Sequence, residues 1–166
     1  LHLVGTACNV FATVILKRVP IRHYTLNGTK FLPDLPQTKE DAQIVAWLNE
    51  NVKGMATVLE AHGDPYREFT RISMYTGLPT ILGWEHHTRQ RGLSAEFLTE
   101  RKKAFRAIYS SDDLALTKEL LVKYKIDFIV IGNIERANNR PFQSEKFDEH
   151  PELFTKVVTF GGTSLY

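Results

Sequence analysis

The chain has 166 residues, 43% of them hydrophobic and 24% charged, with 21 Lys and Arg against 19 Asp and Glu for a net charge of +2. This composition supplies one domain with a buried core. It excludes a disordered chain and a repeat array, since no low-complexity stretch or fixed period occurs. The charge signs are interspersed without a basic run, which argues against a nucleic-acid partner, and the single cysteine, Cys8, excludes an internal disulfide and a multi-cysteine metal cluster.

The first residue is leucine, which predicts a piece of something longer. Leu1 to Leu16 carries no Asp, Glu, Lys or Arg, and Lys17 and Arg18 end the run. A membrane span needs roughly 20 such residues, so the stretch is short by itself, and it lacks the basic start of a signal peptide. Two readings stay open: a buried helix or strand, or the tail of a membrane helix entering a surface domain. A polar, turn-rich connector follows from Pro20 through Asn27-Gly28 to Pro36. Residues 1–36 therefore read as a juxtamembrane segment and connector, and residues 37–166 as a soluble α/β domain.

Thr38 with Asp41 approximates a capping box, and Ile44, Trp47, Leu48 and Val52 follow at helical spacing until Gly54. Ala56 to Ala61 (ATVLEA) reads as a strand. Ser94 caps a helix carrying Phe97, Leu98, Arg101 and Phe105. Another helix runs from near Asp112 to near Tyr124, with Thr117, Leu120 and Leu121 on one face. Ile126 to Gly132 (IDFIVIG) is the strongest strand, apolar on both faces like an interior parallel strand. Weaker strands fit Thr80 to Leu82, Ala107 to Tyr109 and Val157 to Phe160, and Gly161-Gly162 turns into a closing hairpin ending at Tyr166. The fold class expected is α/β, a three-layer αβα sandwich with a mostly parallel sheet and an antiparallel C-terminal edge.

In such sheets ligands sit beyond the carboxyl ends of the strands, and that rule selects three loops. The first holds Glu60, His62, Asp64 and Tyr66; the second Trp84, Glu85, His86, His87, Arg89 and Arg91; the third Asn133, Glu135, Arg136 and Asn139. Adjacent Glu85, His86 and His87 cannot all face one metal ion, so solvated or hydrogen-bonded histidines are the preferred reading. No nucleophile elbow, Gly-x-Gly-x-x-Gly or Walker A sequence occurs. No catalytic residue, metal or cofactor is assigned. Glu60 or Glu135, with His62, remains a remote candidate pair for hydrolysis, whereas Glu135 beside Arg136 or Arg71 facing Glu60 also fits plain ion pairs. Trp84 amid Arg, His and Glu suits a sugar ring or a phosphate, or else a core or lid residue with a solvated rim.

The run Arg71-Ile72-Ser73, Thr76-Gly77-Leu78-Pro79-Thr80, then Leu82-Gly83-Trp84 with His86, resembles the extracytoplasmic part of the Chlor_Arch_YYY membrane proteins. These are multispanning proteins of unknown function, organised like membrane glycosyltransferases of the GT-C type. Further segments agree in order: Val58-Leu59-Glu60-Ala61, Ile131-Gly132 with Glu135-Arg136, Lys146-Phe147 and Leu165-Tyr166. The likeness extends from about Asn9 onward. After its Gly-Trp pair the family usually has a second tryptophan, where this chain has arginine.

The resemblance implies a C-terminal domain on the outer face of the cell membrane, attached to its parent membrane region. It implies help in binding an acceptor or lipid-linked sugar, with no turnover by the fragment alone, the parent being the glycosyltransferase. The substrate-binding residues expected are Glu60, His62, Tyr66, Arg71, Trp84, His86, Arg89, Glu135 and Arg136. The competing expectation is a structural module that docks on its own membrane region or a partner, without ligand chemistry.

Overall fold

The computed structural model describes residues 28–30, 32–34, 38–138, 142 and 145–166. The apolar opening with Cys8, the connector up to Asn27 and the candidate Asn139 lie outside the described residues. Every element belongs to the unit Phe31–Tyr166. A 3-10 turn at Leu32–Asp34 precedes α1 (Lys39–Asn51), β1 (Thr57–Leu59), α2 (Arg71–Thr76), α3 (Glu85–Gln90), α4 (Ala95–Ser110) and α5 (Leu114–Lys123). Then come β2 (Ile126–Ile131), α6 (Asn133–Asn138), α7 (Glu145–Glu149), β3 (Val158–Phe160) and β4 (Thr163–Leu165).

Two helices, α4 and α5, start where a side chain satisfies a free amide. Ser94 accepts from Phe97 N–H at 3.2 Å, and Asp113 accepts from Leu116 N–H at 2.9 Å. Thr38 behaves differently from the capping box expected of it. Its hydroxyl donates to Leu32 O at 3.0 Å, while Asp41 turns inward to Arg71. Glu40 reaches across to the β3–β4 turn, where the Thr163 hydroxyl donates to it at 2.9 Å. That turn favours glycine, because Gly161 has φ +58° in the left-handed region.

The four strands form one sheet in the order β1-β2-β4-β3. β1 and β2 are parallel, with Val58 opposite Phe128 and Leu59 opposite Ile129. β4 runs antiparallel to both β2 and β3. The sheet is therefore mixed, and the expectation of a mostly parallel sheet is corrected. Two of the strands expected to extend it do not exist. Ala107 to Tyr109 is the last turn of α4, where the helical stripe of Leu98, Phe105, Ile108 and Tyr109 prevails over local strand propensity. Thr80 to Leu82 is irregular; Pro79, which has no N–H to give, accepts one bond at 2.8 Å from Val58.

Alternation along the strands divides the core. Leu59, Ile129 and Ile131 pack with Leu98, Phe105, Ile108 and Tyr109 of α4, Leu120 of α5, and Phe147, Phe154 and Tyr166. Val58, Val130 and Leu165 pack with Ile44, Val45 and Leu48 of α1 and Ile72 of α2. The Tyr109 hydroxyl, fully buried, points between Leu59 O at 3.2 Å and Val130 O at 2.8 Å, so it spans the parallel pair. No helix among the described residues is long and apolar enough to cross a membrane.

Candidate functional site

Three of the expected binding residues come together away from solvent. Glu60, Arg71 and Glu135 are 1%, 2% and 0% exposed. The Arg71 guanidinium is used on two sides. Nε and Nη2 donate to Asp41 at 2.5 and 2.9 Å, and Nη1 and Nη2 donate to Glu135 at 2.9 and 3.2 Å. Glu60 lies 3.6 Å from Nη1 and takes backbone N–H bonds from Ile72 at 2.8 Å and Ser73 at 2.6 Å. Glu135 also accepts from Ala61 and Gly132 N–H at 2.8 and 3.0 Å. These groups join α1, the end of β1, α2 and α6, and they satisfy one another.

One cation here faces three carboxylates, and the protonation follows from that. Burial pushes the Glu60 carboxyl up to about 7, against the pull of Arg71 and the two amides. Burial also raises Glu135, but the Arg71 charge and hydrogen bonds outweigh it and hold that carboxyl below its usual range.

The same cluster closes the base of the loop 62–70. Thr70 N–H donates to Ala61 O at 3.1 Å, so the loop ends meet just above Glu60 and Arg71. Inside the loop, Phe69 O accepts the Trp84 indole N–H at 3.0 Å. Tyr66 at the tip has φ +62°, Thr70 at the exit has φ +63°, and Tyr66 is 79% exposed. Two left-handed non-glycine residues in one short loop store local strain, of order 1–3 kcal/mol each. Tyr66, Trp84 and His87 form an aromatic cluster with ring centroids 5.2–5.3 Å apart, and the Tyr66 hydroxyl lies 3.0 Å from His87 Nε2.

Beside this cluster is a surface pocket of about 310 Å³. His62, Asp64 and Pro65 form one wall, Glu85, His86 and Arg89 of α3 another, and Lys102 and Arg106 of α4 a third. His86 links pocket and cluster, its ring 5.9 Å from that of His87. Glu85 is shared by two cations, Arg89 at 2.8 Å and Lys102, and the Lys102 hydrogen bond foremost holds its carboxyl below the usual range. The His62 ring stands edge-on to Phe105 at 4.5 Å. Burial, with Lys102 adding to it, pulls its pKa down to about 4, so this imidazole is neutral at pH 7.

Of the nine expected binding residues, His62, His86 and Arg89 line the pocket, with Tyr66 and Trp84 beside it. Glu60, Arg71 and Glu135 lie in the buried cluster. Arg136 goes elsewhere, donating to Gly162 O at 2.7 Å in the β3–β4 turn. The loop rule missed Lys102 and Arg106, because α4 is not at a strand end. Their i,i+4 spacing beside the buried Phe105 is the signal that places them on one helix face. Among the described residues no three His, Cys, Asp or Glu side chains group as metal ligands.

No family model, curated protein or solved structure matches the chain.

The protonation of Glu60 and His62 gives a prediction with opposed signs. Glu60 holds in the fold, up to about pH 7, a proton that the unfolded chain loses near 4.5; its contribution falls as pH rises through that window. His62 is the reverse. The unfolded chain holds the proton up to about 6.5 and the fold sheds it near 4, so its contribution is lost as pH falls through that window. Between these limits each contributes a slope of at most about 1.4 kcal/mol per pH unit, opposite in sign. Glu60→Gln should leave stability rising with pH from 4.5 to 6.5, and His62→Gln should leave it falling. Urea midpoints at several pH values read this, and equal slopes for the two variants would refute it.

Proposed function

We propose that the chain is the C-terminal extracytoplasmic domain of a membrane glycosyltransferase-like protein, a three-layer αβα sandwich that helps to bind an acceptor or lipid-linked sugar. The observation that carries this reading is the pocket between the loop 62–70, α3 and α4. Its walls supply both signs of charge and two imidazoles, and an aromatic cluster of half-buried Trp84 and His87 with exposed Tyr66 adjoins it. Sugar recognition asks for that combination: an apolar ring face to stack on, with donors and acceptors for hydroxyls beside it. His62, Tyr66, Trp84, His86 and Arg89 are the binding residues in this reading. Glu60, Arg71 and Glu135 hold the loop that presents them, and the reacting groups belong to the parent membrane region.

Indole fluorescence tests it. In a Trp47→Phe background Trp84 is the remaining tryptophan, and titration with neutral and anionic monosaccharides should change its emission saturably. Tyr66→Ala should weaken binding about 3- to 10-fold, the worth of one aromatic contact. Silence of Trp84 toward every sugar would sink the reading and leave docking on the membrane region or a partner.

A further inference from the structure

We propose that the ligand of this pocket is a single sugar ring carrying one anionic group, carboxylate or phosphate, and that the Arg106 guanidinium reads the charge. This rests on the carbohydrate reading above and narrows it. Size sets the first limit. About 310 Å³ lies at the low end of the roughly 300–1,000 Å³ of small-molecule sites. It encloses one ring with its substituent, and further units of a longer ligand would lie outside it in solvent.

Charge sets the second limit. The cations Arg89, Lys102 and Arg106 line the pocket with the carboxylates Asp64 and Glu85. Glu85 already engages Arg89 and Lys102. Among the described residues no hydrogen bond or ion pair engages Arg106, although its charge reaches His62. Arg106 is therefore the cation with an open fork, and a guanidinium offers paired donors to a carboxylate or a phosphate. His62 and Asp64 on the facing wall are suited to hydroxyls, Asp64 as acceptor. The two carboxylates also make a second negative group on the ligand costly, which disfavours diphosphates.

Calorimetric titration of the whole 166-residue chain with D-glucuronate, D-glucose 1-phosphate, D-glucose and inorganic phosphate decides the matter. At least one charged sugar should bind ten times more tightly than glucose or more, and the preference between the two names the anionic group. Arg106→Ala should lower that affinity about tenfold or more and Arg106→Lys should restore part of it. Lys118→Ala, exposed on α5, should change nothing. Arg106 is exposed, so its variants keep the fold, and their melting midpoints are read alongside. Equal affinity for glucose and the charged sugars, or an unchanged Arg106→Ala, would overturn the proposal while leaving carbohydrate binding intact. Inorganic phosphate binding as tightly as glucose 1-phosphate would overturn it in favour of a bare anion site. Failure of every sugar to bind would overturn both readings.

Discussion

Replacing Arg71 by leucine is expected to cost the fold about 3–5 kcal/mol, the usual penalty for stranding buried charges. The three carboxylates around it, Asp41, Glu60 and Glu135, are each under 3% exposed and share this one guanidinium. Leucine fills part of the space but neutralises none of them. The carboxylates must then take up protons, or the cluster must open to water. Arg71→Lys should also be poor, because an ammonium cannot serve the Asp41 and Glu135 forks together. Adding Asp41→Asn and Glu135→Gln to Arg71→Leu should recover part of the loss, since two of the three stranded carboxylates are gone. Urea unfolding reads all of these; a loss below about 1 kcal/mol for Arg71→Leu would show that the cluster does not hold α1, α2 and α6 to β1.

Phe105→Ala is the second large effect, at about 3–5 kcal/mol, as is usual for deleting a buried aromatic ring. Phe105 is 1% exposed and packs on Tyr109 at 4.9 Å between ring centroids. It also packs against the His62 ring, 4.5 Å away between centroids. The variant therefore carries a second readout. With water admitted beside His62, the burial that holds its pKa near 4 is relieved, and the value should climb toward 6.5. Proton NMR of the imidazole follows this directly. Phe105→Leu, which leaves a smaller void, keeps the measurement accessible if alanine unfolds the chain. A His62 pKa unmoved in both variants would show that Phe105 has no part in shaping the pocket.

Much of the helical content was legible from sequence. Ser94 and the Phe97, Leu98, Phe105 stripe anticipated α4, Ile44 and Leu48 anticipated α1, and IDFIVIG anticipated β2, because caps and apolar periodicity are local properties. The sheet was less legible. Ala107 to Tyr109 has strand-forming residues, yet the stripe that makes it helical begins ten residues earlier. The Gly161-Gly162 turn did announce the closing antiparallel hairpin, but strand partners are long-range choices, and the insertion of β4 between β2 and β3 left no mark in the neighbouring residues.

The site divided along the same line. The loop rule reached His62, Trp84 and His86 because they follow strand ends or the Pro79 segment. Glu135 was found as a charged residue after a strand end, and Arg71 as a candidate partner of Glu60 and through the resemblance, but only burial distinguishes an ion pair from a ligand contact, and burial is not written in a loop. Asp41 was assigned to a helix cap, the commoner fate of an early acidic residue, since nothing nearby announces a partner thirty positions away.

The loop 62–70 enters and leaves at one point, pinned by Ala61, Thr70 and the charges beneath them. Its tip can therefore be rewritten without disturbing the sheet, as a fitting is changed on a fixed mount. Loop chemistry and thermal durability then become separately inheritable traits: substitutions between His62 and Phe69 change the surface the loop presents, while those at Asp41, Glu60, Arg71 or Glu135 decide whether it is presented at all.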